Sequence, residues 1–227
     1  MDVEQETNIS RAVIDLYASL PNHGKAINSE FTVLAAILLV SEKKFEIVSL
    51  ATGTKCIGST ALEADKFGCL LSDSHAEVLA RRGFQRYLLK CMLALVKHKE
   101  LAADKKFPLD LNFQFSMGGM KLKPGFDVYL FVSDSPCGDS SIYPLRSDVH
   151  DEIIPAKINF TGAKLMGQQA SCCLATTSPA VWQREDTQVL GCLRTKSGRS
   201  DTTLSNRTVS KSCSDKISKW NFVGLQG

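Results

Sequence analysis

The sequence contains no long apolar run and no hydrophobic leader. Its longest uninterrupted apolar stretch, residues 33–40, is too short for a helix that crosses a lipid bilayer. The N-terminal segment MDVEQETNIS is polar and acidic, and it lacks the apolar core of a secretory signal. These absences argue against a membrane protein and against a secreted protein. We therefore expect a cytoplasmic or nuclear protein whose 8 cysteines are reduced, with no membrane contact and no evident protein partner.

Neither sign of charge is in large excess, because the formal net charge is only +3. The basic residues are nevertheless unevenly placed, since seven of them lie between Leu193 and Trp220 against two acidic residues. These basic residues are Arg194, Lys196, Arg199, Arg207, Lys211, Lys216 and Lys219. Such a segment favours a polyanion, either RNA or a phosphate-rich small molecule. The alternative is an ordinary basic surface that contacts only solvent.

The length of 227 residues and the ordinary composition suit one α/β domain. Periodicity and cap signals predict helices at 8–20, with Asn8 or Ser10 as cap, at 74–98, and from Ser212 or Ser214 onward. Alternation and β-branched runs predict strands at 31–40 and 44–55, paired as a hairpin, and further strands at 126–134 and 188–196. Residues 161–190 have little periodicity and are predicted to form a loop.

An unusual group of ionisable residues opens the second predicted helix. Asp73, His75 and Glu77 are followed directly by Arg81 and Arg82. At helical spacing, Glu77 and Arg81 fall on the same stripe as the apolar residues that come after them. A buried charge is costly unless it is paired or contacts a metal or a ligand. The ordinary explanations are an ion pair between Glu77 and Arg81, and a purely structural role for His75.

A second feature is the segment VSDSPCGDSS at 132–141, at the end of a predicted strand. Cys137 directly follows a proline, at a position where a strand can give way to a helix N-terminus. Backbone N–H groups and the helix dipole favour a thiolate there, and the thiolate is the form that binds a metal. The ordinary explanation is that Cys137 is a small buried apolar residue.

Together, His-x-Glu on a helix and Pro-Cys at a strand end match the signature of zinc nucleobase deaminases. The usual second cysteine is missing, because Ser140 occupies the last position of Pro-Cys-x-x-Cys. A catalytic zinc site needs three protein ligands and an open position for water. Cys213 in SCSDK is the best candidate for the third ligand, because it lies at a predicted helix start. Spacing alone leaves Cys172, Cys173 and Cys192 open as alternatives.

Five motifs occur in order across most of the chain. They are GTK at 53–55, DSHAEVLARR at 73–82, SPCGD at 135–139, LRTKSG at 193–198 and SCSDKISKWNFVGLQG at 212–227. With these motifs the sequence resembles the deaminase (A-to-I editase) domain of the adenosine deaminases acting on RNA. The resemblance implies a cytidine-deaminase-like α/β/α sandwich, with a mixed sheet and with zinc between helix N-termini. It also implies a hydrolase that converts adenosine to inosine in RNA.

The resemblance further implies a role for each residue of the zinc site. It assigns His75, Cys137 and Cys213 as zinc ligands and Glu77 as the catalytic residue that transfers protons. The FTGAK segment at 160–164 is similar to the branch of the family that acts on tRNA. That branch implies alanine tRNA as the substrate, with the adenosine directly 3′ of the anticodon as the reacting base.

Members of the family also bind inositol hexakisphosphate in their core, and the resemblance implies this second cofactor here. The positions that match its ligands are Arg81, Arg82, Lys216 and Lys219. The polar groups that link this anion to the zinc site match Asp73, Lys55 and Lys196. In the family, further lysines and aromatic residues around the anion come from a C-terminal portion. We therefore expect the deaminase domain at 1–227 to continue beyond Gly227.

Two other functions remain open from the sequence. One is a deaminase of free nucleosides or nucleotides, which shares His-x-Glu and Pro-Cys but is expected to contain Pro-Cys-x-x-Cys. Ser140 and the long insert before Cys213 argue against it. The other is a non-catalytic zinc-binding or RNA-binding module. It predicts binding of zinc and tRNA without formation of inosine, even though Glu77 is present.

Overall fold

The residues that the structure describes fall into two units, each with its own paired strands. The structure is a computed structural model, and it describes residues 3–27, 30–42, 44–101, 113–116, 119–142, 163–165, 191–196 and 207–226. The first unit comprises Met1–Gly53, Ala76–Ser133 and Leu225–Gly227. The second unit comprises Thr54–His75 and Asp134–Gly224.

The described chain contains four α-helices and nine short strands. The helices are α1 (Val3–Ser19), α2 (Ser59–Ala64), α3 (Ala76–Leu101) and α4 (Cys213–Val223), with a 3₁₀ turn at Asp139–Ser141. The strands are β1 (Leu34–Val40), β2 (Phe45–Thr52), β3 (Thr54–Cys56), β4 (Asp73–His75), β5 (Phe113–Ser116), β6 (Gly119–Leu122), β7 (Asp127–Val132), β8 (Lys164–Leu165) and β9 (Arg194–Thr195). Every strand pair between these elements is antiparallel.

A three-stranded sheet in the order β2–β1–β7 forms the centre of the first unit. Every residue of the central strand β1 is buried, because its side chains alternate between two covered faces. On one face, Ala35, Ile37 and Leu39 join a cluster with Ala80 and Phe84 of α3. On the other face, the clustered residues are Leu34, Ala36, Leu38 and Val40 of β1 with Ile9 and Val13 of α1. Helices on both faces of a sheet confirm the predicted α/β class.

The β1–β2 hairpin is confirmed, and Ser41 N donates to the Lys44 carbonyl oxygen (2.8 Å) where the chain turns. The predicted start of α1 is wrong, because the helix already includes Val3. Neither Asn8 nor Ser10 is a cap, since both lie inside the helix, and the Ser10 hydroxyl donates to the Glu6 carbonyl oxygen (2.9 Å). A serine hydroxyl can form this internal bond as well as a cap, so the sequence signal was ambiguous.

The later elements agree with the sequence where the structure describes them. Helix α3 and strand β7 lie within about two or three residues of their predicted bounds. Of the predicted strand at 188–196, the described residues 191–196 contain β9, and the predicted loop at 161–190 contains the short strand β8. Most of that loop lies outside the described residues. Among the described helices, none combines the length and the hydrophobicity that crossing a bilayer requires.

In the second unit, β3 pairs with β4 so that Thr54 lies opposite His75. Strand β9 pairs with β8 on one side. On its other side it meets the segment that leads into α4, where Lys196 N donates to the Ser210 carbonyl oxygen (2.8 Å). Two residues further along, Ser212 N donates to the Arg194 carbonyl oxygen (2.8 Å). The LRTK and SCSDK motifs therefore lie side by side.

Gly83 marks a close approach of α3 to β2 in the first unit. The Ser49 hydroxyl donates to the Ala80 carbonyl oxygen (2.7 Å). A Cβ atom on Gly83 would overlap Ser49 Oγ and would lie 3.2 Å from Ser49 Cβ. Glycine is therefore required by the spacing between the helix and the sheet rather than by helix propensity.

We predict that Gly83→Ala lowers the free energy of unfolding by about 1–3 kcal/mol, because the added methyl displaces Ser49 and breaks its hydrogen bond. Alanine alone would favour a helix by about 1 kcal/mol over glycine. Denaturant titration measures the difference. In a Ser49→Ala background the same substitution should cost less, since the overlapping oxygen is gone. A stabilised Gly83→Ala variant would contradict the close approach.

Candidate metal centre

Three potential metal ligands converge in the second unit. His75 ends β4, Cys137 follows Pro136, and Cys213 is the first residue of α4. The Nδ1 atom of His75 lies 3.9 Å from Cys137 Sγ and 3.7 Å from Cys213 Sγ. All three ligand atoms lie within 4.8 Å of one another. The structure thus brings together the residues that the resemblance assigned to zinc.

These separations fit a tetrahedral zinc ion. With Zn–S bonds of about 2.3 Å and Zn–N bonds of about 2.0–2.1 Å, tetrahedral angles place nitrogen and sulfur ligands about 3.6 Å apart. Two thiolates and one imidazole also match the ligand preferences of zinc. Three protein ligands leave a fourth position open, which is typical of catalytic zinc sites, whereas structural sites are closed by a fourth protein ligand.

Cys213 is presented by a capped helix end. Of the two predicted caps, Ser212 is the one that forms, because its Oγ accepts a hydrogen bond from Asp215 N (3.1 Å). The Ser212 hydroxyl in turn donates to Asp215 Oδ2 (2.7 Å). This cap fixes the first turn of α4. Cys213 lies in that turn, where the helix dipole favours its thiolate.

The second sulfur ligand is stabilised as a thiolate by its neighbours. The backbone N–H of Cys213 donates to Cys137 Sγ (3.3 Å). The pKa of the Cys137 thiol is well below its usual value, chiefly because of a hydrogen bond from the Cys213 thiol. His75 and the positive charge of Lys196 act in the same direction, and together these effects exceed the opposing effect of burial. Cys137 is therefore held in the form that binds a metal.

The two cysteine segments are in direct contact. Ser214 N donates to the Cys137 carbonyl oxygen (3.0 Å), and Ser214 Oγ accepts a hydrogen bond from Ser140 N (3.1 Å). Gly138, which directly follows Cys137, lies where the two segments meet. It has a φ of 109°, and a Cβ on this residue would lie 2.8 Å from Ser212 Cβ. A side chain at this position would push the segments apart, so the Gly that follows Cys137 is needed for their approach.

A second group, Cys56, Asp73 and His75, also brings its ligand atoms within 4.8 Å of one another. Burial, and then the charge of Asp73, raises the pKa of the Cys56 thiol to about 12. Cys56 therefore stays protonated at neutral pH and is a poor ligand. Since Asp73 is already bound by ammonium groups, the chemistry of this group does not fit zinc.

Asp73 is a buried carboxylate at the centre of a polar network. It accepts hydrogen bonds from Lys196 Nζ (2.8 and 3.0 Å) and Ser210 Oγ (2.7 Å), and it also forms an ion pair with Lys216. Burial raises its pKa, but the charge of Lys196 and these hydrogen bonds lower the pKa well below the usual range. Asp73 Oδ1 further accepts a hydrogen bond from His75 N (3.0 Å). The network thus fixes the backbone of one metal ligand.

Glu77 lies in the first turn of α3, in the first unit. The residue is only 2% exposed, and its Oε2 has no hydrogen-bond partner among the described residues. An ion pair with Arg81 through this oxygen is therefore not present. A buried carboxylate oxygen is costly to leave unsatisfied, so this position calls for a proton, a water molecule or a substrate group.

The residues assigned to inositol hexakisphosphate lie on two helices. On α3, Arg81 is half-buried and Arg82 is exposed, and burial lowers the pKa of Arg81. On α4, Lys219 is exposed, whereas the ammonium of Lys216 contacts Asp73. These two pairs belong to different units.

The remaining sequence candidates lie away from the three ligands or outside the described residues. Lys55 is exposed on β3 opposite Ser74, and Lys196 is the lysine that reaches Asp73. Cys192 is half-buried and belongs to neither potential metal group in the described part of the chain. The alternatives Cys172 and Cys173, together with Arg199, lie outside the described residues. The described cysteines are not joined by disulfide bonds.

No role was predicted from the sequence for one residue, Arg194, although it lies in the basic segment and in the LRTKSG motif. Arg194 is 1% exposed, and its Nε donates to Asp139 Oδ1 (2.6 Å). Its backbone N donates to Asp215 Oδ2 (2.9 Å). The available signal was that each of the two cysteine motifs, PCGD and SCSD, has an aspartate two positions after its cysteine.

Comparison with known proteins agrees with this geometry. The sequence model of the adenosine-deaminase (editase) domain family matches residues 49–227. A tRNA-specific adenosine deaminase 1 of Drosophila melanogaster is 32% identical over 231 residues, which cover 96% of this chain and 49% of the relative. The protein of the same name in Schizosaccharomyces pombe is 32% identical over 230 residues, which cover 96% of this chain and 51% of the relative.

A relative with a different name also matches this chain. The double-stranded RNA-specific editase Adar of Drosophila melanogaster is 29% identical over 223 residues, which cover 96% of this chain and 30% of the relative. The chain spans about half the length of the tRNA-specific relatives. The match at 49–227 includes His75, Cys137 and Cys213. The chain therefore belongs to the adenosine-deaminase (editase) domain family.

Proposed function

We propose that residues 1–227 form a zinc-dependent deaminase domain that converts adenosine to inosine in RNA. The observation that carries this proposal is the convergence of His75, Cys137 and Cys213, with Glu77 two residues after the first ligand. This ligand set suits activation of water, and the buried Glu77 Oε2 suits acceptance of a proton. Free thiols suit the reducing cytoplasm or nucleus that the sequence predicts.

In this reaction, adenosine and water give inosine and ammonia. When bound, zinc supplies the Lewis acidity that brings the pKa of the hydrolytic water towards neutrality. Glu77 accepts a proton from that water and delivers it to N1 of the adenine as C6 gains the oxygen. Glu77 then takes the remaining proton from the new C6 hydroxyl and passes it to the amino group. The C6–N bond breaks, ammonia leaves, and C6 keeps the oxygen as the carbonyl of inosine.

We propose that the RNA is a tRNA, and specifically that the reacting base is the adenosine directly 3′ of the anticodon in alanine tRNA. Support comes from the relatives named for tRNA and from the FTGAK segment at 160–164. A base must leave its stack to be deaminated, and extruding a base from a loop costs less than extruding one from a duplex. Basic residues such as Arg207 would contact phosphates and orient the tRNA.

We also propose inositol hexakisphosphate as a second cofactor, bound by Arg81, Arg82, Lys216 and Lys219. Burial lowers the pKa of Arg81, so its guanidinium gains from a partner with high negative charge. The ammonium of Lys216 already contacts Asp73. A bound anion would therefore share this ammonium with Asp73.

The direct test is formation of inosine in an alanine tRNA transcript incubated with the zinc-loaded chain. Inosine directly 3′ of the anticodon supports the proposal, and a transcript with guanosine at that position is the control. Salt-independent activity on free adenosine, without activity on tRNA, would favour a nucleoside deaminase instead. Binding of zinc and tRNA without inosine would favour a non-catalytic module.

We predict that Glu77→Gln reduces inosine formation by at least about 100-fold, because an amide cannot accept the proton of water. The zinc content should stay unchanged, since Glu77 is not a ligand. Metal analysis and inosine quantification on the same preparation measure both effects. The substitution is nearly isosteric, which limits changes in packing. A variant that loses zinc together with activity would instead identify Glu77 as a structural residue.

We predict that Cys213→Ser loses both zinc and activity, because a serine hydroxyl stays protonated where a thiolate ligand is needed. Cys56→Ser is the matched control. It should retain zinc, because the pKa of the Cys56 thiol is about 12 and the thiol donates to Asp73 Oδ1 (3.4 Å). Metal content after dialysis against a weak chelator distinguishes the two. The opposite pattern would move the metal to the group of Cys56, Asp73 and His75.

A further inference from the structure

We infer that Arg194 is a positioning residue that fixes the spacing between the two cysteine ligands, Cys137 and Cys213. The inference rests on the proposed function, because it takes both cysteines as metal ligands. Its basis is a pattern that the two ligand segments share. Each cysteine is followed two positions later by an aspartate, which gives Cys137-Gly-Asp139 in one segment and Cys213-Ser-Asp215 in the other. Arg194 binds both aspartates.

The contact with the first segment is a buried ion pair. Arg194 Nε donates to Asp139 Oδ1 (2.6 Å), and the arginine side chain is 1% exposed. The other carboxylate oxygen, Asp139 Oδ2, accepts a hydrogen bond from Gly191 N (2.6 Å). Asp139 is thus held by two groups that lie within four positions of each other in the chain. A charge-assisted bond of this kind is stronger than a neutral one and restricts the segment that contains Cys137.

The contact with the second segment uses the backbone of the same residue. Arg194 N donates to Asp215 Oδ2 (2.9 Å), and the Arg194 carbonyl oxygen accepts a hydrogen bond from Ser212 N (2.8 Å). Ser212 and Asp215 are the two partners of the α4 cap, and Cys213 lies between them. Arg194 therefore holds the cap of one ligand through its backbone and the segment of the other ligand through its side chain.

The separation of the two sulfur ligands therefore depends on Arg194, a residue that is not itself a ligand. The sulfur atoms must keep their separation for both to reach one ion, and Arg194 is bonded to both segments. Loss of its side chain leaves the Asp139 carboxylate without its ion-pair partner, which weakens the restraint on Cys137. Partners in the shell around metal ligands typically change metal affinity by about 10–100-fold.

The test measures zinc affinity by chelator competition in the full chain and in three variants. Arg194→Gln should weaken zinc binding by about 10–100-fold, and Asp139→Asn should weaken it in the same direction. The double variant should bind zinc no more weakly than Arg194→Gln alone, because each substitution removes the same interaction, the ion pair between Arg194 and Asp139. Should Arg194→Gln fail to fold, Asp139→Asn decides the question, since that side chain is 27% exposed and the substitution is isosteric.

The matched control is Lys211→Gln, which removes one positive charge from an exposed residue next to Ser212. It should leave zinc affinity unchanged. A second readout is the visible spectrum of the cobalt-substituted chain, which reports the geometry of thiolate ligands at saturating metal. The cobalt spectrum should change in Arg194→Gln and in Asp139→Asn. A general loss of stability would instead lower the unfolding midpoint and leave the spectrum unchanged.

Unchanged zinc affinity and an unchanged cobalt spectrum in Asp139→Asn and Arg194→Gln would overturn the inference, and so would strictly additive losses in the double variant. A parent chain that binds no zinc would overturn both the inference and the proposed function. A parent chain that binds zinc but forms no inosine, with weaker binding in the variants, would leave the inference intact and overturn only the deaminase activity.

Discussion

The centre of the second unit depends on a buried carboxylate, Asp73, that stays ionised. Removing a carboxylate from water is costly, and Asp73 tolerates it because two ammonium groups and a hydroxyl surround it. The same carboxylate accepts a hydrogen bond from the backbone of His75 (3.0 Å). The charge network therefore restrains the end of β4, and with it the histidine that faces the two sulfur atoms.

The two sulfur ligands pose a related problem, because adjacent thiolates repel each other. The fold supplies positive potential from its own groups, before the charge of any metal is counted. Cys213 lies in the first turn of α4, at the positive end of the helix dipole. The backbone N–H of Cys213 donates to Cys137 Sγ (3.3 Å), and the charge of Lys196 lowers the pKa of Cys137. Residues 194–196 thus contact two parts of the site, the cysteine segments and Asp73. Arg194 contacts both cysteine segments, and Lys196, two positions further along the chain, reaches Asp73.

The sequence predicted what local patterns encode. His75 and Cys137 belong to short signatures, Cys213 follows a cap residue, and the β1–β2 hairpin joins neighbours in the chain. It did not predict that Arg194 pairs with Asp139, because these residues are 55 positions apart and an arginine in a basic segment resembles a surface residue. The start of α1 was wrong because the Ser10 hydroxyl bonds within the helix instead of capping it. Such choices depend on tertiary contacts, which composition and periodicity do not contain.

Charge, rather than distance, distinguishes the two potential metal groups. Both include His75, and both bring their ligand atoms within 4.8 Å. Burial, and then the negative charge of Asp73, raises the pKa of Cys56 to about 12, against the opposing charges of Lys196 and Lys216. The charge of Lys196 also lowers the pKa of Cys137, for which hydrogen bonds from Cys213 and His75 are the larger causes. Burial and the charge of Asp73 therefore keep the first cysteine a neutral thiol, whereas hydrogen bonds and Lys196 make the second a thiolate. Because a metal binds the thiolate, this difference selects the group that contains Cys137.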